Sequence, residues 1–150
     1  MKREIKFRGK STDTGEWVYG FLSFFYTAGR DENGLIFTDK ARIYSPEDGC
    51  CYDVWAETVG QFIGLLDKEK QEIYEHDIIN VNGKYPKLVK YIDDYACFCL
   101  ANIDDLDEKM DTRYWQQVSP GWWNDFQREI KKIGNIFDNP NLLNNGENNV

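Results

Sequence analysis

A mainly β fold is what this sequence predicts, and three observations carry the prediction. Helical periodicity is weak along almost the whole chain. Short runs of β-branched and aromatic residues recur instead, separated by clusters of Asn, Asp and Gly. Aromatic residues make up 15% of the 150 residues and are spread over most of the length, which a disordered composition does not do.

Taken in order, the expected strands are residues 4–8, 16–25, 35–44, 52–58, 61–66, 72–81, 87–93 and 96–101. Thr12-Asp13-Thr14-Gly15, Asp31-Glu32-Asn33-Gly34 and Asn82-Gly83 are the turn signals between them, because Asn, Asp and Gly tolerate the positive φ that tight reversals need. In the stretch EWVYGFLSFF, Trp17, Tyr19, Phe21 and Phe25 line one pleat face and Val18, Leu22 and Phe24 the other. Both faces are apolar, so this strand is expected to be sandwiched, with Gly20 marking a bulge or a close backbone approach.

The run NIDDLDEKMDTR, residues 102–113, reads as an exposed acidic loop with too little apolar content to pack. Beyond it, Ser119 is expected to cap a short helix with Pro120 in its first position, placing Trp122, Trp123, Phe126 and Ile130 near one face. IGNIF, residues 133–137, reads as a closing strand, and Asn139-Pro140 as the start of one helical turn that docks Leu142 and Leu143. Residues 144–150 are polar and read as a disordered tail.

The chain is long enough to bury roughly two-thirds of the surface its unfolded form exposes, so no disulfide or metal is required to hold it. No apolar run approaches the roughly 20 residues that span a bilayer. The N-terminus, MKREIKFRGK, has no apolar segment after its charges, and a cytoplasmic protein with reduced thiols and no membrane partner is expected. Net charge is −8, unevenly placed: residues 1–46 carry eight Lys/Arg against six Asp/Glu, residues 47–150 ten against twenty. An acidic total disfavours generic nucleic-acid binding, which relies on a surplus of Lys and Arg facing phosphates. A basic edge of Lys2, Arg3, Lys6, Arg8 and Lys10 is the one local exception.

Glu75-His76-Asp77 invites a catalytic reading and does not sustain it. In a regular strand His76 points away from the other two, whereas an acid/base set needs its members within hydrogen-bond reach. A turn is the better reading, with Asp77 accepting backbone N–H groups and His76, the only His in the chain, taking the turn conformation. Cys50-Cys51 and Cys97-x-Cys99 lack zinc-knuckle spacing and read as buried or partly buried thiols. The acidic loop lacks the Gly and Glu that a calcium loop requires. Gly60 and Gly64 read as bulges or tight crossings in strands, without a helix-packing message. No catalytic residue, cofactor site or metal site is expected.

The segments REIKFRGK, EWVYGFL, TVGQFIGLLDKEKQEIYEHDII and IGNIFDNPNLL, in this order from Arg3 to Leu143, resemble the successive signatures of the YopX family of phages and prophages. The resemblance implies a mostly β protein with an SH3-like small barrel in its later part and no assigned molecular function. The expected architecture is therefore an N-terminal β-sheet region plus an SH3-like barrel over residues 61–101, closed by 133–137, with one or two short helices near the C-terminus. It is read as a single β domain over residues 1–143, with two β lobes of about 1–60 and 61–143 left open. Gly60, Gly64, Glu75, His76, Asp77, Gly134 and Pro140 are its structural motif residues. The family pattern has Gly where this chain has His76, so a permissive backbone rather than imidazole chemistry is implied there. It also has Asn-Gly in the preceding hairpin, where DKEKQE stands here, so a different turn is implied.

The function expected is that of a non-enzymatic accessory protein of phage or prophage origin, binding a protein partner or itself. Two alternatives stay open: nucleic-acid binding through the basic edge and the barrel face, and an acidic mimic of nucleic acid that occupies a host protein.

Overall fold

The computed structural model describes residues 3–112 and 114–144. The chain is mainly β, with eleven strands among the described residues and only short helical turns. It divides into two compact units, Met1–Phe62 and Ile63–Val150.

The first unit is a meander of β1 (Phe7–Lys10), β2 (Trp17–Asp31), β3 (Gly34–Ser45) and β4 (Cys50–Trp55). One 3-10 turn, Ala56–Thr58, then leads into β5 (Gly60–Leu66). The strand order is β4-β3-β2-β1-β5, with β5 antiparallel to β1. Side-chain oxygens set the reversals: Ser11 Oγ accepts from the Asp13 N–H at 3.2 Å, and Asp31 Oδ1 from the Asn33 N–H at 2.8 Å. A Ser11–Val54 bridge and a 3.0 Å bond from the Thr12 N–H to the Asp53 carbonyl join β4 to the end of β1, so the sheet curls until it meets itself. Inside the curl lie Val18, Ala41, Ile43 and Val54, with Phe7, Leu22, Phe25, Tyr52, Ala56 and Val59 around them. Each fully buried Val or Ile contributes about 2 kcal/mol. Gly20 is where β2 passes closest to its neighbour: a Cβ there would sit 1.9 Å from the Tyr44 carbonyl oxygen.

The second unit repeats that strand order. Past Phe62, β5 runs on beside β6 (Glu72–Tyr74). Next come β7 (Asp77–Val81), β8 (Lys84–Ile92), β9 (Cys97–Asn102), β10 (Trp115–Gln117), α1 (Pro120–Trp123) and β11 (Ile130–Asn135). The sheet is β10-β9-β8-β7-β11, again four strands in a meander and a fifth that returns antiparallel to the first. Strand alternation splits its apolar residues between two cores. Ile79, Val81, Val89 and Leu100 pack with Ile73, Trp123 and Ile130. Ile78 and Leu88 face the other way, against Ile103, Leu106, Met110, Ile133, Ile136, Leu142 and Leu143. The pairings form an open row from β10 to β11, and among the described residues they do not establish a closed SH3-like barrel.

Several expectations need correction. β2 is not sandwiched: Tyr19, Phe21 and Phe24 are exposed, because the unit has core on one side of this sheet only. The expected strand 72–81 is two strands broken by a turn at residues 75–76. The helix after Ser119 is a single turn that ends at Trp123, without a bond from the Ser119 side chain; Ile130 starts β11, and Phe126 is 92% exposed. The acidic loop packs after all, through buried Ile103 with Leu106 and Met110. Expected residues 145–150 of the tail and Lys2 lie outside the described residues.

Candidate functional site

Residues 74–77 form a structural joint. His76 has φ of 75°, its N–H donates to the Val89 carbonyl at 2.8 Å, and its own carbonyl accepts from the Ile136 N–H at 3.1 Å. Its ring meets Phe137 edge-on at 5.3 Å. Asp77 is fully buried; Oδ2 accepts the Tyr74 N–H at 2.7 Å and pairs with Lys132 Nζ at 3.3 Å. The carboxylate is thus committed to holding the turn, and Glu75 lies between those two anchors. The preceding hairpin uses a different turn, as expected, built on Asp67 and Lys70. Lys70 takes the positive φ, 66°, while buried Asp67 accepts the Glu69 and Gln71 N–H groups and, through Oδ2, the Lys132 N–H at 3.0 Å. An Asp followed by non-Gly turn residues is the signal that could have found it.

The remaining motif residues are also structural. Gly60 is buried opposite Arg8, and Gly64 has φ of 90°. Gly134 sits at a register shift in β11, where a Cβ would lie 2.4 Å from Asn139 Oδ1, the atom that accepts the Asn135 N–H. Pro140 opens the 3-10 turn Pro140–Leu143.

The basic edge is not a row of solvated charges. Arg8 is 3% exposed and its guanidinium lies 4.3 Å from the Trp17 ring centre, with Lys10 Nζ 5.3 Å from the same ring. Lys6 pairs with Glu4 at 3.1 Å and stands over Phe62, while Arg3 is exposed. On β8, Lys87 donates to Asn102 Oδ1 at 2.7 Å and burial lowers its pKa, an effect that Asp105 opposes; Lys90 stands over Trp115. Cys50 and Cys51 are exposed, a correction to the expected burial, whereas Cys99 is buried with its Sγ 3.7 Å from that of Cys97. Burial, then the hydrogen bond to Cys97, pushes the Cys99 thiol up to about 12. Among the described residues no group of three or more His, Cys, Asp or Glu is placed to hold a metal ion. No helix among them is long and apolar enough to cross a membrane.

No sequence motif marks the far half of the β2–β3 hairpin. β1 accompanies β2 only from Trp17 to Gly20, and β4 accompanies β3 only from Lys40 to Ser45. Beyond those points the two strands continue as a ribbon to the turn at residues 32–33. On that ribbon Leu35, Ile36 and Phe37 are 50%, 42% and 62% exposed, and Phe24 is 45% exposed. Successive strand residues point to opposite faces, so three exposed neighbours mean that neither face is covered. The arm is braced at its root, where Phe25 meets Phe37 edge-on at 6.3 Å. The Tyr26 hydroxyl donates to Asp53 Oδ1 at 2.7 Å, which raises the Tyr26 pKa. Nearby, the Tyr52 hydroxyl donates to Asp48, pushing the phenol up to about 12 and the carboxyl down. Beside the arm's foot lies a cleft of about 610 Å³ lined by Thr38, Asp39, Trp55, Ala56 and Glu57. The sequence signal for the arm was the turn Asp31-Glu32-Asn33-Gly34 followed directly by three apolar residues.

The family model described as YopX protein matches residues 6–144. Among solved structures, the chain is similar to the crystal structure of protein EF1440 from Enterococcus faecalis, at 23% sequence identity, over 95% of this chain and 99% of that one, with a TM-score of 0.48. No curated protein matches it.

Proposed function

We propose that this chain, which belongs to the YopX family by its match over residues 6–144, is a non-enzymatic accessory protein of phage or prophage, acting in the cytoplasm by binding a protein partner or another copy of itself. The exposed β2–β3 arm carries the reading. A two-stranded ribbon is marginal in water by itself, and one with bare apolar residues on both faces gains stability when another chain covers it. Apolar side chains and free strand edges recognise protein, through strand addition and burial, and do not recognise phosphate. The residues that first suggested chemistry support the non-enzymatic reading, since Asp77 is held by Tyr74 and Lys132 and His76 is packed on Phe137.

The test is capture by the tagged protein from nuclease-treated host lysate, with Phe37→Lys as the arm variant. The expected result is a protein, another copy or a different chain, that survives nuclease and is lost with the variant. Recovery of nucleic acid alone, or a turnover that His76→Ala abolishes, would sink the proposal.

A further inference from the structure

We infer that Cys97 and Cys99 are a redox couple: a hydroperoxide closes the two thiols into a disulfide, and the closure loosens the pairing of β10 with β9. Alternate residues of a strand share a face, so both cysteines stand on the same side of β9. Their sulfurs lie 3.7 Å apart, already turned toward each other. The two are unequally placed. Cys97 is half-buried and follows Ala96, whose φ of 52° turns the β8–β9 hairpin, whereas Cys99 is buried in the sheet between Lys90 and Gln117.

Access to an oxidant assigns the first step to Cys97. Its sulfur attacks one oxygen of the hydroperoxide and the O–O bond breaks. Cys97 becomes a sulfenic acid, and the other oxygen leaves with the thiol's proton as alcohol or water. The Cys99 sulfur then attacks the Cys97 sulfur; the S–S bond forms, the S–O bond breaks, and the departing hydroxide takes the Cys99 proton as water. The two thiols lose two electrons and the peroxide gains them. Burial first, then the hydrogen bond to Cys97 and the charge of a Cys97 thiolate, hold the Cys99 proton, and that charge is gone once the sulfenic acid has formed.

The strand must give way for the bridge to close. Two residues of a strand span about 6.7 Å, at the upper end of what a disulfide tolerates between Cα atoms. Closure therefore shortens β9 at Phe98, the residue between the cysteines, whose carbonyl accepts the Val118 N–H at 2.9 Å. Gln117, the last residue of β10, pairs with Cys99 itself, and Val118 leads through Ser119 into α1 and the core residue Trp123. A strained bridge is also easily reduced, as a reversible couple requires.

Hydrogen peroxide treatment of the protein carrying Cys50→Ser and Cys51→Ser, followed by mass spectrometry of the peptide that holds both remaining thiols, tests the couple. The expected product is that peptide lighter by a pair of hydrogens and restored by dithiothreitol. Cys99→Ala is expected to leave Cys97 as a sulfenic acid that dimedone captures. Hydrogen exchange of residues 115–123 is expected to quicken several-fold in the oxidised protein and to return on reduction. A peptide that gains oxygen without losing hydrogens, or that stays unchanged, overturns the inference. A bridge that leaves the exchange of residues 115–123 as it was overturns the coupling to β10.

Discussion

The two units share a strand order and treat their apolar residues in opposite ways. Each is a four-strand meander whose fifth strand returns to the first. In the second unit apolar residues are buried on both faces of the sheet, Ile79 and Val89 toward one core and Ile78 and Leu88 toward the other. In the first, a curled sheet closes over four buried side chains, and two of its strands run on into water with Leu35, Ile36 and Phe37 exposed. The same topology thus yields a scaffold in one place and a projecting arm in the other. What separates them is strand length: β2 and β3 have 15 and 12 residues and outrun their neighbours, whereas their counterparts β8 and β9 have nine and six.

The largest expected effect comes from the tight approach in each unit. Gly20→Ala drives a Cβ onto a main-chain oxygen, the Tyr44 carbonyl, which cannot swing aside. The cost is on the order of 4 kcal/mol. Gly134→Ala meets only side-chain atoms of Asn139 and Leu142, which can shift, and should cost about 2 kcal/mol. Urea unfolding followed by circular dichroism measures both, and equal costs would show that a main-chain and a side-chain obstacle are equally unforgiving at these two approaches.

Next in size is Asp77→Ala in the second unit. It leaves the Tyr74 N–H without its carboxylate and Lys132 without its partner, at a cost of about 3 kcal/mol. Asp77→Asn keeps an acceptor and should lose less. A change below about 0.5 kcal/mol for Asp77→Ala would show that the joint is dispensable.

The thiols sharpen the comparison without unfolding anything. The thiolate is the reactive form, and a Cys99 pKa raised to about 12 leaves that thiol protonated at pH 8, besides being buried. Iodoacetamide labelling read by mass spectrometry should modify exposed Cys50 and Cys51 quickly and leave Cys99 intact until the chain is unfolded. Early modification of Cys99 would mean that the second unit opens readily.

Much of this fold was legible in the sequence, for definite reasons. Asn82-Gly83 and Asp31-Glu32-Asn33-Gly34 mark turns because their residues accept the backbone angles, and Asn139-Pro140 marks the last helical turn. The failures are equally physical. β10 has three residues, too few for any period to register. Ile103 lies among carboxylates, so local composition hid its place in a core that long-range pairing brings to it. The arm was missed because apolar residues on both faces of a strand read the same whether a second layer covers them or none does. Only the lengths of β1 and β4, which stop short of the arm, distinguish the two cases.

The central claim is that the arm is folded as a ribbon but covered only by another chain. Hydrogen–deuterium exchange of the peptides spanning residues 24–40, followed by mass spectrometry at rising protein concentration, tests it most directly. Protection should be weak in dilute protein and grow at high concentration or with the captured partner bound, confined to this segment, while the second unit stays unchanged. Strong protection of the arm in the most dilute sample, or none either at high concentration or with the captured partner bound, would contradict the account.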